Sequence, residues 1–261
     1  MCKLSSCIAF NPVSEQASYE AAIKANPDNA PKHAPGEIAI STIANHTKLW
    51  PKHRWLTIAF IDNPPEALQD AIEQLIWQWD PHVSLIFGLS KEANADIRIS
   101  TNTTLNGSSI GTDALTVEAG QPTMYIGLKP SDPDFKVTVL HEFGHALGLE
   151  HEHQHPQANI PWNKPKVYKA YATQFGWDKE LVDDQLFTTK GTDSSRVAPY
   201  DKTSIMHYPV DKEFTDGIWE VGTYSELSEQ DIKSIGEFYP KKILTDFSPP
   251  DSPSNKPNTE V

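Results

Sequence analysis

One run of eleven residues limits this chain more than any other: His141-Glu142-Phe143-Gly144-His145-Ala146-Leu147-Gly148-Leu149-Glu150-His151, which reads H-E-x-x-H-x-x-G-x-x-H. On a helix, His141 and His145 lie four positions apart, so both imidazoles leave the same face. Glu142, one residue on, can reach a water on a shared metal without being a ligand. Gly148 permits a sharp reversal, because glycine accepts positive φ at little steric cost, and the reversal carries His151 round to the same ion. Three protein ligands leave one position of a tetrahedral zinc open, the pattern of a catalytic rather than a structural site. The expected ligands are therefore His141, His145 and His151, the expected cofactor is one Zn2+, and Glu142 is the general base.

The flanks predict a helix over about 135–148. Asp132, Pro133 and Asp134 offer capping chemistry before it, and Val139, Leu140, Phe143 and Leu147 form an apolar stripe that reads as core. Upstream, a strand near 54–61 precedes an amphipathic helix from about Pro65 to Trp79, with Leu68, Ala71, Ile72, Leu75, Ile76 and Trp79 on one face. Further strands are predicted near 83–88, 95–100 and 123–128. Beyond His151 the pattern turns irregular, with one helix near 164–175. Trp162, Tyr168, Tyr171, Phe175, Trp177 and Phe187 suggest a smaller lobe packed by aromatics. A cleft between the lobes, with zinc at its base, is where a ligand is expected.

The downstream run Ser204-Ile205-Met206-His207-Tyr208 resembles the Met-turn of the metzincin metallopeptidases, and its wording is most similar to the astacin family, in particular its disulfide-poor fungal and bacterial members. The resemblance extends from about Leu49 to Pro240. It takes in Leu49-Trp50-Pro51, Trp55 to Phe60, Ala95 to Ser100, Ile110 to Ala114, Pro122 to Tyr125, and Leu227 to Asp231 with Ile235. It implies an α+β metzincin fold: a twisted mixed sheet with a backing helix and the zinc helix in an upper lobe, over a smaller irregular and helical lower lobe. It also implies that Met206 is the floor beneath the histidines and that Tyr208 approaches the zinc and donates to the oxyanion during catalysis. A thioether suits an irregular space under imidazoles, and a phenol can serve an oxyanion. In metzincins an antiparallel edge strand near this point of the chain pairs with extended substrate. By that analogy Thr123, Met124, Tyr125 and Ile126 are the expected substrate edge, a sheet-interior strand being the other reading.

The activity implied is zinc-dependent hydrolysis of peptide bonds, as an endopeptidase if the cleft is open at both ends. A serralysin- or matrixin-like peptidase and a non-catalytic zinc-containing peptide-binding module stay open as alternatives. Glycine-aspartate nonapeptides are absent, which weighs against serralysins, and Glu142 weighs against a purely structural zinc. The expected partner is a peptide or protein substrate, and the protein itself is expected to be a monomer. A net charge of −13 argues against nucleic acid, and no apolar run approaches a membrane span.

The chain of 261 residues divides by pattern into an N-terminal extension (1–47, partly disordered or propeptide-like), a catalytic domain (48–240, its lobes about 48–148 and 149–240) and a disordered tail (241–261). Its two cysteines, Cys2 and Cys7, precede the catalytic domain, so no disulfide can form within it. That count and the lack of an evident signal peptide stand against the secreted setting the family implies. Acylation, mutual pairing and an inert role are open to Cys2 and Cys7, with inert the expectation. Pro35-Gly36-Glu37-Ile38 faintly resembles the acidic zinc-blocking motif of astacin propeptides, with Glu37 where the family uses Asp. His153 and His155 are expected to support the site or face solvent. Glu152 matches the family glutamate that meets a processed N-terminus.

Overall fold

A computed structural model describes residues 7–10, 14–31, 46–189 and 198–241. Cys2, Glu37 and the expected tail 242–261 lie outside the described residues. Six strands form one mixed sheet: β1 (Cys7–Phe10), β2 (Trp55–Phe60), β3 (Ile86–Leu89), β4 (Ile97–Ser100), β5 (Asn106–Ser109) and β6 (Met124–Ile126). Their order across the sheet is β1-β5-β6-β4-β2-β3. Strands β2, β3, β4 and β6 run parallel, β5 is antiparallel to β6, and β1 lies parallel to β5. The alternation of apolar residues in Trp-Leu-Thr-Ile-Ala-Phe makes β2 central. Leu56 and Ile58 are fully buried, while Trp55 at the start is largely exposed.

One expectation changes here. Thr123 to Ile126 is not an edge: Met124–Ile126 is flanked by β4 on one side and β5 on the other, so its backbone groups are already used in the sheet. In the body of the molecule the strand on that side is β5, and its outer margin is taken by β1. The N-terminal extension also has structure. Besides β1 it contributes α1 (Glu15–Ala25), which opens on the Ser14 side chain accepting from the Ala17 N–H. Helix α1 packs on the turn Gly111–Thr116, where Ser18 Oγ donates to the buried Asp113 carboxylate at 2.5 Å and Lys48 Nζ reaches the same carboxylate at 2.6 Å.

The predicted backing helix is α2 (Glu66–Ile76), which buries Leu68, Ile72 and Ile76. At roughly 1.5–3 kcal/mol for each large aliphatic side chain fully buried, these three dominate its docking. It packs on α3 (Phe135–Ala146), and α3 packs on β5 and β6. The main core gathers Trp50, Leu56, Ile72, Val139, Leu140, Phe143 and Met206 with Ile235 and Tyr239. The aromatics read from the sequence as a lower lobe form a second core: Val167, Tyr171, Trp177, Val182, Leu186 and Phe214, with Trp162, Tyr168, Phe175 and Phe187 against them. It is built on α4 (Lys164–Phe175) and a short helix α5 (Lys179–Val182) that continues into a wide turn, Asp183–Phe187. The chain closes with α6 (Glu229–Phe238). Among the described residues no helix is long and apolar enough to cross a membrane.

Candidate zinc site

Helix α3 ends as the glycine pattern requires. Leu149 N–H donates to Gly144 O at 3.0 Å and Gly148 N–H to His145 O at 2.8 Å, a Schellman arrangement with Gly148 at φ +102°. Trp50 Nε1 and the Tyr239 hydroxyl satisfy the freed carbonyls of Ala146 and Leu147 at 2.8 and 2.6 Å. The reversal delivers His151 beside the helix. His145 Nε2 and His151 Nε2 are 3.0 Å apart, close to the roughly 3.3 Å between two nitrogens bound tetrahedrally at about 2.0–2.1 Å from one zinc.

Each helical imidazole is oriented from behind. His141 Nδ1–H donates to Ile205 O at 2.8 Å and His145 Nδ1–H to Leu149 O at 2.7 Å. Fixing the proton on Nδ1 leaves the Nε2 lone pair for a metal. Burial, the largest cause, and the neighbouring imidazoles hold His141 down at about 3. Burial likewise brings His145 to about 4 despite its carbonyl partner, with smaller contributions from His153 and Lys48. His151 is also held well below its ordinary value by burial and then by His145. All three are neutral near pH 7, the form that ligates. Among the described residues, His141 Nε2 and both Glu142 carboxyl oxygens are buried with no N–H or O–H donor to meet them, an arrangement costly in an empty pocket and natural around a cation. These residues fit zinc.

Glu142 is fully buried, and burial raises its pKa to about 8, with the Cys7 thiol beside it pulling the other way. Beneath the helix lies Met206, as the Met-turn resemblance implies. Gly144 makes room for it: a Cβ there would stand 2.4 Å from Met206 Sδ. The turn is held by α6. Asp231 accepts from Ser204 Oγ at 2.6 Å and from the Ile205 N–H at 2.8 Å, while also closing the helix's capping box with Ser228. Tyr208 is buried with its ring 4.4 Å from that of His151 and stacked on His153 at 4.3 Å. Its hydroxyl donates to a peptide carbonyl, Cys7 O.

Cys7 was expected to be inert, and its placement is otherwise. Its Sγ lies 3.8 Å from His151 Nε2, and together with His141, His145 and His151 it makes a group whose ligand atoms all fall within 4.8 Å of one another. The thiol is pushed well above its ordinary pKa, first by burial and then by Glu142. A divalent cation among the same groups would reverse that penalty. Strand β1 thus lies along the site. Its register pairs Cys7 with Asn106 and Ala9 with Ser108, and on its other side Ala9 N–H donates to Gln185 Oε1 at 3.1 Å while Gln185 Nε2 donates to Ala9 O at 3.3 Å. No local pattern marks Cys7 or Gln185. Cys7 and His151 stand 144 positions apart, and only the folded sheet joins them.

Of the remaining candidates, His153 is buried with Nε2 on Gln185 O at 2.9 Å, and His155 bonds Ala198 O at 2.7 Å; neither joins the metal group. Glu152 accepts the Asp201 N–H at 2.7 Å. A cavity of about 160 Å³ opens beside the imidazoles, between Val137 and Thr138 of α3 and Tyr208 and Pro209 after the turn.

Comparison with known proteins agrees with this geometry. Myroilysin superposes with a TM-score of 0.70 at 35% identity, covering 75% of this chain and 97% of that one. High choriolytic enzyme 1, a hatching enzyme zinc-protease of the medaka Oryzias latipes, shares the fold at TM-score 0.53 and 20% identity, covering 81% of this chain and 98% of the other. In sequence the chain is 28% identical over 216 residues to zinc metalloproteinase dpy-31 of Caenorhabditis elegans, 76% of this chain and 33% of that protein. It is 29% identical over 142 residues to zinc metalloproteinase nas-26 of the same organism, 54% of this chain and 32% of that protein. The chain thus spans about a third of the length of these two relatives. The model of Astacin, a peptidase family, matches residues 42–240, leaving the serralysin- and matrixin-like alternatives behind: the chain belongs to the astacin family.

Proposed function

We propose that this chain is a zinc-dependent endopeptidase in which His141, His145 and His151 hold the ion and Glu142 is the general base. The observation that carries the reading is the buried Glu142 carboxyl set beside three neutral imidazoles whose Nδ1 atoms are tied off or whose Nε2 atoms converge. Bound there, zinc supplies Lewis acidity toward the scissile carbonyl and the attacking water. Glu142 accepts that water's proton and returns it to the leaving amine, and a carboxyl that burial raises to about 8, against the pull of the Cys7 thiol, is suited to carrying a proton in both directions. Tyr208 already donates to a peptide carbonyl within the site, the contact a scissile carbonyl would receive as negative charge develops on its oxygen. Met206, wedged under Gly144, keeps the helical imidazoles from sinking away from that carbonyl. The cavity beside α3 offers room for one substrate side chain.

With β1 in place the donor set counts four, His3Cys, the pattern of a closed zinc. With β1 withdrawn it counts three and a position opens. The described conformation is therefore a resting one, and residues before about 47 act as a propeptide-like extension. The test is cleavage of proteome-derived peptides with and without a chelator, by wild type and Glu142→Gln, with zinc measured in both. Glu142→Gln should keep zinc and lose roughly 10²–10⁴-fold in kcat. Zinc retention without chelator-sensitive cleavage by wild type would overturn the reading in favour of a binding module.

A further inference from the structure

We propose that the Gln185 side-chain amide is a substrate-binding group: it forms the lower wall of a two-sided backbone slot whose upper wall is β5. This rests on the peptidase reading above and extends it to how an extended peptide is held. Alternate residues of an extended chain turn their N–H and C=O to opposite sides. Strand β1 runs along β5, and Ala9 turns both of its backbone groups the other way, onto one side chain. A primary amide is the one neutral side-chain group that offers a donor and an acceptor side by side, so it can match both groups of a single residue.

Gln185 is held ready for this. It is 4% exposed, in the turn Asp183–Phe187. Its Nε2 also donates to the Asp184 carboxylate at 2.8 Å, and its own carbonyl accepts from His153 Nε2 at 2.9 Å. Gln154 Nε2 donates to Asp184 O at 2.5 Å, so the turn is fastened to the segment that follows His151. Turning the amide over about its last bond exchanges donor and acceptor, and the half-exposed Asp184 carboxylate can then be met by water. The bracket as it stands matches a strand running as β1 does, and the reverse direction requires the amide to turn over and give up its bond to Asp184. It contacts only backbone, so it selects for a residue with a free N–H in extended conformation and against proline or an N-alkylated residue there, whatever the side chain. The bracketed residue sits two positions from the one whose carbonyl Tyr208 holds, which places the selected substrate position about two residues from the scissile bond.

The test is steady-state cleavage, by the full chain, of one fluorogenic peptide and a series in which each backbone nitrogen near the scissile bond is methylated in turn. In wild type, methylation at one position about two residues from the bond should raise KM roughly tenfold through the lost bracket. In Gln185→Leu the unmodified peptide should bind correspondingly worse, and methylation at that position should cost nothing further, while the effects at other positions persist. Because each ratio is taken within one enzyme, any loosening of β1 cancels. Gln185→Glu, which keeps an acceptor at the same volume, controls for the buried site, with zinc content and Tm confirming folding. Independently of turnover, Cys7 alkylation located by peptide mapping should quicken roughly tenfold in Gln185→Leu, since β1 loses the same two bonds. A methylation profile unchanged by Gln185→Leu, in an enzyme that still cleaves, overturns the clamp and leaves the peptidase reading standing. Absence of chelator-sensitive cleavage overturns the peptidase reading and the substrate clamp with it; unchanged Cys7 alkylation would then show that Gln185 does not hold β1 either.

Discussion

Gly144→Ala probes the floor of the site. In an open helix the substitution stabilises by about 1 kcal/mol, because alanine loses less backbone freedom on folding than glycine. Here the new methyl would lie 2.4 Å from Met206 Sδ, 3.3 Å from Met206 Cε and 3.3 Å from Trp79 Cζ2. Carbon and sulfur need roughly 3.5–4.0 Å, so more than an ångström has to open. Overpacking of this kind costs about 1–3 kcal/mol, and a flexible thioether that can swing aside puts it near the lower end. The helix gain is thus erased, and the single variant should lose up to about 1 kcal/mol. Removing the obstacle restores the gain: in a Met206→Ala background, Gly144→Ala should stabilise by about 1 kcal/mol, or roughly 2–4 °C in Tm for a protein of this size. Thermal and urea unfolding of the four proteins gives the coupling directly, expected at about 1–2 kcal/mol. Additivity within about 0.5 kcal/mol, or a rise in Tm for Gly144→Ala alone, would show that Met206 is not seated against this glycine.

Three further outcomes are expected. If the Tyr208 hydroxyl serves the developing oxyanion, as proposed, Tyr208→Phe should lower kcat by roughly 10–100-fold while changing KM little; a pure KM effect would assign it to substrate binding instead. Asp231→Ala strips the acceptors of Ser204 and Ile205 and the α6 capping box, and should cost about 3–4 kcal/mol, with Tm falling by about 10 °C in calorimetry. Cys7→Ala should raise the initial rate of peptide cleavage by the full chain, because β1 then offers no fourth donor; an unchanged rate would mean that β1 does not govern access.

The cluster of His141, His145 and His151 was legible because its geometry is local. His141 to His151 needs one helix and one glycine turn, and both follow from spacing. The closing helix and Met206 were readable only through the family resemblance, since a methionine at a turn carries no signal of its own. Strand β5 could not be read: Asn106-Gly107-Ser108-Ser109 has none of the β-branched or aromatic residues that mark strands, and its conformation is imposed by the ladder to β6. The family analogy set the margin of the sheet at Thr123–Ile126, and β5 is the strand that lies outside it. Cys7 and Gln185 were invisible for a related reason, as each acquires its role only across the folded cleft. His153, expected to support the site or face solvent, is buried as the plate on which Tyr208 stacks.

The fastening of the Met-turn to α6 bears on the order in which the molecule is made. Asp231 holds Ser204 and Ile205, Ile205 O in turn orients His141, and Tyr239 spans from Trp50 to Leu147. A chain leaving the ribosome at about 5–20 residues per second exposes His141, His145 and His151 several seconds before Asp231 and Tyr239, which help to set them in position. The arranged histidine cluster thus arrives only once α6 has emerged. By then β1, made well before α6, has long been available to lie along the site, so an earlier-made strand is on hand to cover the cluster as a later-made helix completes it.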